Sequence, residues 1–183
     1  MKKTLKIILF GILCIVSVLS YLKYDSKHYD YGFSCTFCGE AIPYGLKPYS
    51  DRYYSFALLD EDEFELVGKG FKYQNSSFKI NEILGYGYND TSVIVKCTDS
   101  LNNIKYLTSY ETKYKSSKGN PEISFKDLNI NDSELLREHY YWIDLDDEKG
   151  DRIRLYRTLS FIAVISTFLL LLWVLIRKRK ATQ

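Results

Sequence analysis

The residues with the clearest chemical potential are two cysteines separated by two residues, Cys35 and Cys38, with Gly39 directly after them. Thiolates bind zinc and attack disulfides, and oxidised cysteines link distant parts of a chain. Cys97 is the third cysteine outside the apolar ends of the sequence, while Cys14 lies within the first apolar end. Cys35, Cys38 and Cys97 are therefore the candidate metal ligands, and a disulfide among them is the preferred alternative.

The stretch from Cys35 to Gly39 resembles half of a zinc ribbon or rubredoxin-type knuckle. In such a knuckle, glycine after the second cysteine permits a tight turn whose backbone N–H groups point at sulfur. The resemblance implies a zinc site, which needs a second ligand pair. Cys97, His28 and His139 are the further soft ligands outside the apolar ends, and their spacing does not support such a site. We therefore expect no cofactor, with zinc as the alternative.

Other chemistries of the cysteine pair are less well supported. A thioredoxin-like pair begins a helix, but Pro43 follows closely after Cys38 and no βαβ pattern surrounds it. By loop entropy, a bridge between Cys35 and Cys38 contributes about 2 kcal/mol, and one from either residue to Cys97 about 4 kcal/mol. We therefore expect Cys97 to be linked to Cys35 or Cys38, which leaves one thiol buried, reactive or paired with another chain.

The acidic residues Asp144, Asp146 and Glu148 alternate as in a calcium-binding loop. That loop needs glycine at its sixth position and glutamate at its twelfth, where this chain has Lys149 and Leu155. We expect a solvated turn instead. No catalytic triad pattern and no glycine-rich phosphate loop is present in the sequence, so we expect a binding protein rather than an enzyme.

The residues that could do chemistry lie between two apolar segments. Leu159 to Ile176 is free of charged residues and spans about 27 Å as a helix, close to the thickness of a bilayer core. Ile7 to Leu22 is a second apolar segment and follows three lysines. It predicts an uncleaved membrane anchor, with a signal peptide cleaved before Tyr21 as the alternative. Neither segment contains an ionisable side chain that could line a transport path.

Charge divides the chain into an acidic middle and two basic tips. Residues 23–158 contain all 23 acidic residues against 18 lysines and arginines, while residues 1–6 and 177–183 contain the other basic residues. Because each basic tip adjoins an apolar segment, we expect contact with the lipid bilayer and none with nucleic acid. The positive-inside rule predicts that both termini are cytoplasmic and that residues 23–158 are extracytoplasmic, although arginines between residues 152 and 157 weaken the bias.

The extracytoplasmic region is predicted to be mostly β, as a sandwich- or barrel-like domain with a short helix, flanked by two transmembrane α-helices. Alternating apolar residues and turn signals indicate the strands. The predicted strands are Tyr53–Leu59, Phe64–Gly68, Phe78–Tyr88 with a bulge at its glycines, Thr91–Thr98, Ile104–Tyr114, Ile123–Leu128 and Tyr140–Leu145, and the predicted short helix runs from Asn131 to His139.

The same pattern predicts which residues form the core of this domain. They are Phe56, Leu58, Phe64, Leu66, Phe78, Ile80, Ile83, Val93, Val95, Ile104, Leu107, Ile123 and Phe125. The functional hypothesis that follows is a membrane-anchored extracytoplasmic interaction module that binds a protein or envelope component. The alternative is a thiol-redox or zinc-binding membrane protein that uses Cys35 and Cys38.

Overall fold

The computed structural model describes residues 3–33, 35–36, 42–51, 55–73, 76–115, 119, 121–129 and 139–179. Within these residues, two long helices precede and follow a region built from β-strands. The elements in chain order are α1 (Lys3–Asp30), a 3₁₀ helix (Pro43–Gly45), β1 (Lys47–Ser50), β2 (Phe56–Leu59), β3 (Glu65–Val67), β4 (Glu82–Tyr88), β5 (Val93–Thr98), β6 (Ile104–Lys115), β7 (Pro121–Leu128), β8 (Tyr141–Asp144) and α2 (Asp147–Arg179).

Helices α1 and α2 contain the two apolar segments, and both are long and apolar enough to cross a membrane. They pack in antiparallel fashion, because Tyr21 contacts Phe161 at a ring-centroid distance of 5.7 Å and Tyr24 contacts Tyr156 at 5.3 Å. Each helix is longer than its apolar segment. We call the polar extensions, residues 23–30 of α1 and 147–158 of α2, the stalk.

The strands form two antiparallel sheets. The first has the order β1-β2-β3, and the second has the order β7-β6-β5-β4-β8. The hairpins expected from the sequence are present, since β2 pairs with β3 and β5 pairs with β6. A bulge between Ile83 and Gly85 in β4 confirms the irregularity expected at the glycines. A Cβ atom on Gly85 would lie 2.7 Å from the carbonyl oxygen of Ile143 in β8, so strand pairing requires glycine there.

Both sheets contribute to one hydrophobic core, in which Phe56 of β2 stacks on Tyr86 of β4 at 5.2 Å. Leu66 and Phe78 are partly buried at its margin. The prediction is wrong for two residues, Phe64 and Ile104, which are 70% and 45% exposed. The expected core residues that the structure does bury are Phe56, Leu58, Ile80, Ile83, Val93, Val95, Leu107, Ile123 and Phe125.

A β-bulge explains why Val67, and not Leu66, is the fully buried residue of β3. Leu58 pairs with Val67 and Leu59 pairs with Glu65, so Leu66 is an extra residue in β3. Such an extra residue reverses which side chains face the core. The fully buried residue of β3 is accordingly Val67, whereas simple alternation predicted Phe64 and Leu66.

The region expected to be a solvated turn is instead the start of α2. Lys149 donates its backbone N–H to Asp146 Oδ1 at 2.9 Å, and Asp147 and Glu148 lie in the first helical turn. Acidic groups here satisfy free backbone N–H groups and oppose the positive end of the helix dipole. The predicted short helix from Asn131 to His139 lies, apart from its last residue, outside the described residues.

Candidate functional site

A buried ion pair joins the two helices within the stalk. Arg157 Nε of α2 donates to Asp25 Oδ1 of α1 at 2.6 Å, and the side chains are 25% and 2% exposed, respectively. Removing such charges from water costs several kcal/mol each, which their mutual attraction offsets while both are present. The pair therefore fixes one register between the helices just beyond the apolar segments.

Residues shortly after the end of α1 also contact the Asp25 carboxylate. Thr36 donates its backbone N–H to Asp25 Oδ2 at 2.8 Å, and Cys35 Sγ lies 3.2 Å from that oxygen. The Thr36 hydroxyl also hydrogen-bonds to the Tyr21 hydroxyl at 2.9 Å. Asp25 therefore connects α1, α2 and the first half of the cysteine motif. Cys35 is disulfide-bonded, so its sulfur offers no free thiolate for nucleophilic chemistry.

Phe33 makes a further contact between α1 and α2. Its ring stacks on His28 at 4.8 Å, and the Arg154 guanidinium lies 4.5 Å from its centroid. The second distance is within the range of a cation–π interaction. His28 is buried here, and the contacts hold the end of α1 against α2.

Cys97 is a free, fully buried thiol in the middle of the second sheet. The expected bridge from Cys97 to Cys35 or Cys38 is therefore wrong, because its side chain faces the core while Cys35 lies against α1. Burial, reinforced by Asp127 and Asp99, raises the pKa of the Cys97 thiol to about 12. A thiol that remains protonated at neutral pH is a poor nucleophile and a poor zinc ligand.

Cys38 lies outside the described residues. Cys35 itself is disulfide-bonded. That Cys38 is its partner stays a prediction from the sequence, as does zinc binding by the two residues. Within the residues that the structure describes, no cluster of three or more cysteine, histidine, aspartate or glutamate side chains has the arrangement of a metal site.

Asp30, the last residue of α1, lies where the stalk meets the second sheet. The Tyr86 hydroxyl donates to the backbone carbonyl of Asp30 at 2.8 Å, and Tyr141 hydrogen-bonds to its carboxyl group. Burial raises the pKa of this carboxyl group to about 6, although Lys27 and the Tyr141 hydrogen bond act in the opposite direction. The proton affinity of Asp30 therefore depends on contact between the helix and the sheet.

A concave surface lies between the two sheets, with β3 on one side and β7 on the other. It consists of two adjoining cavities of about 290 Å³ and about 340 Å³, which share Leu66 and Ile123 in their lining. We call this combined surface the groove. Its apolar lining includes Phe64, which is 70% exposed.

The groove is acidic at one end. The smaller cavity is lined by Asp60, Glu61, Asp62 and Glu122, with no lysine or arginine among the described residues around it. The other cavity has one acidic and one basic residue in its lining, so its charge is balanced. Asp60 itself is structural, because its side chain accepts the backbone N–H groups of Asp62 and Phe64 in the β2–β3 turn.

Tyr44 also lines the acidic end of the groove and adopts an unusual backbone conformation. Its φ angle is 65°, a left-handed value that non-glycine residues rarely adopt. The Tyr44 hydroxyl donates to the Thr91 carbonyl oxygen and to Glu111 Oε1, which holds its ring in place. Strained backbone of this kind is concentrated at functional sites, where surrounding contacts maintain it.

Sequence patterns missed both the ion pair and the groove. The available signal for the ion pair was an aspartate just after one apolar segment and an arginine just before the other, at similar distances from each. The groove has no local signal, because β3 and β7 are far apart in the sequence and are brought together by packing of the two sheets.

Comparisons of the chain with protein-family models, with curated proteins and with solved structures find no match. The site is therefore interpreted from its own geometry and charge.

Proposed function

We propose that the protein is a membrane-anchored extracytoplasmic interaction module that binds a protein or envelope component through the groove. The groove is the observation that carries this proposal. It combines an apolar floor with a polar rim, which is the combination found at binding sites. Its walls come from strands of two sheets that share one core, so the surface exists before a partner binds. A sandwich-like arrangement of the sheets would supply this rigidity.

The membrane location is supported by the helix pair. Because α1 and α2 are antiparallel, the start of α1 and the end of α2 lie at the same end of the pair, which is where the basic tips are attached. The positive-inside rule assigns that end to the cytoplasm and residues 23–158 to the opposite side. A reporter active only outside the cytoplasm should function when inserted at Ser117 and fail at the carboxyl terminus, and the reverse pattern would overturn this orientation.

The binding proposal is tested with a photo-crosslinking amino acid in place of Phe64 in cells that produce the full chain. Leu101 is the matched control, because it is 79% exposed at the distant β5–β6 turn. A discrete crosslinked partner should form from position 64 and disappear when Glu122→Lys is added. Equal crosslinking from both positions, or none from position 64, would contradict binding at the groove.

The thiol-redox or zinc alternative makes a different prediction. A Cys35→Ser, Cys38→Ser double variant should retain the crosslink from position 64 if the protein is an interaction module. Loss of this crosslink in a chain that still folds, together with stoichiometric zinc or a redox-active pair in the parent chain, would favour the alternative.

A further inference from the structure

The groove has strand edges along both walls. β7 is the outer strand of the five-stranded sheet and β3 is the outer strand of the three-stranded sheet. A strand at a sheet edge presents unpaired backbone N–H and C=O groups, which can pair with another extended chain. In the part of the chain that the structure describes, the backbone of β7 has β6 as its hydrogen-bonded strand neighbour and none on the groove side.

Among the described residues, the 3₁₀ helix packs against β7, and Ser77 contacts the end of β7 near Leu128. Asp127 Oδ2 accepts hydrogen bonds from the backbone and hydroxyl groups of Ser77 at 3.0 Å and 2.9 Å, which closes the end near Leu128. The opposite end, from Pro121 to Phe125, borders the cavities of the groove. This end combines a strand edge that has no paired strand among the described residues with a recess for side chains.

The negative charge of the groove favours some extended peptide segments over others. Asp62 and Glu122 both line the acidic end, and Leu66 and Ile123 contribute apolar lining. A cationic side chain gains favourable interactions with the carboxylates, and its neighbours in an extended chain point alternately into and out of the recess. The strained Tyr44, with its hydroxyl fixed, adds an aromatic wall on which such a cation can lie.

We propose that the groove binds an extended, lysine- or arginine-bearing segment of a partner protein, which adds as a further strand along the exposed edge of β7. This proposal rests on the proposed function and specifies the partner. Main-chain hydrogen bonds give such strand addition its affinity, and pockets for alternate side chains give it specificity.

The test measures peptide binding to the full chain in detergent micelles by fluorescence anisotropy. The first probe is an eight-residue peptide of alternating lysine and valine, which matches the eight residues of β7. The second probe has the same side chains but methyl groups on alternate backbone nitrogens, so it keeps the charge and loses donors for strand pairing. The third replaces lysine with glutamate.

The lysine–valine peptide should bind, and the methylated peptide should bind at least about tenfold more weakly because several backbone hydrogen bonds are lost. The glutamate–valine peptide should not bind measurably. Glu122→Gln should weaken binding of the first peptide about threefold to tenfold, with the larger effect at low salt. Glu82→Gln is the matched control, because Glu82 is an exposed strand residue outside the groove, and it should change nothing.

Equal binding of the methylated peptide would overturn strand addition, and an unchanged affinity in Glu122→Gln would overturn charge selection. No binding of the lysine–valine peptide overturns this inference as a whole. If the crosslink from position 64 still forms in that case, the interaction module stands with a partner of different chemistry. If both fail, the proposed function itself is wrong.

Discussion

Neutralising Asp25 should destabilise the protein strongly, because its carboxylate is almost fully buried against Arg157. Two unit charges about 4 Å apart interact by about 4 kcal/mol at an effective dielectric constant of 20. Removing one partner of a buried pair typically costs about 3–5 kcal/mol, since the other charge stays buried alone. Arg157 is 25% exposed, so solvent reduces the penalty, and we expect a loss of about 3 kcal/mol for Asp25→Asn.

Asp25→Ala should be worse by about 1 kcal/mol, because it also removes the acceptor of the Thr36 backbone N–H group. The double variant Asp25→Asn, Arg157→Gln should lose less than the sum of the two single variants, with a coupling energy of about 2 kcal/mol. Glu148→Gln is the control. It breaks an ion pair with Arg152 on the same stalk, at 3.6 Å, but with side chains that are 90% and 64% exposed.

The assay is thermal melting of the full chain in micelles, followed by the near-ultraviolet circular dichroism of its tyrosines. A loss of about 3 kcal/mol corresponds to a Tm decrease of roughly 10 °C for a chain of this size. Glu148→Gln should lower Tm by no more than about 3 °C, since an exposed ion pair and a charge near the helix N-terminus together contribute about 1 kcal/mol. Two results would contradict this reasoning. One is a Tm of Asp25→Asn equal to that of Glu148→Gln, and the other is a double variant whose loss of stability equals the sum of the two single losses.

Three further predictions concern the sheet domain. Val93→Asp should abolish cooperative melting because Val93 is fully buried, whereas Leu101→Asp at an exposed turn should melt like the parent, and equal effects would contradict the core assignment. In a chain whose other cysteines are serine, Cys97 should react with a maleimide only after unfolding, because burial raises its pKa to about 12, and rapid labelling of the native protein would refute this. Because the pKa of Asp30 is raised from 3.8 to about 6, the folded state holds its proton more tightly, so the protein should lose stability as pH rises from about 4 to about 6. Asp30→Asn should therefore raise Tm at pH 7.5 and have little effect near pH 4, and a pH-independent change would show that the carboxyl group does not titrate as described.

Local patterns in the sequence were sufficient for the hairpins and much of the core. Thr91 to Thr98 and Ile104 to Tyr114 combine β-branched residues with a polar turn, and they correspond to β5 and β6 with small shifts at their ends. Alternation along each strand determines which of its side chains are buried. This alternation is visible in the sequence without knowledge of the elements that pack against the strand.

The failures arise where a distant partner decides the outcome. Alternation assumes an uninterrupted strand and so places Leu66 in the core, whereas the bulge at Leu66 depends on how β3 pairs with β2 and buries Val67 instead. The bridge to Cys97 was favoured by loop entropy, which describes the unfolded chain and contains no information about which way the side chain points in the folded sheet. Asp25 and Arg157 were each visible as charges, but their contact required knowledge of the helix register.

In the membrane-anchored arrangement that we propose, the stalk would give the sheet domain a defined orientation toward the bilayer. Helix α1 continues without interruption from its apolar segment to Asp30, a rise of about 12 Å above Leu22, and α2 runs alongside it in the opposite direction. A pair of helices locked by Asp25 and Arg157 cannot swivel as a glycine-rich tether would. In a membrane-anchored chain, the groove would therefore lie at a fixed distance from the bilayer and in a fixed orientation. A partner in the same bilayer would lose less rotational freedom on binding, because the membrane and the stalk already restrict both proteins.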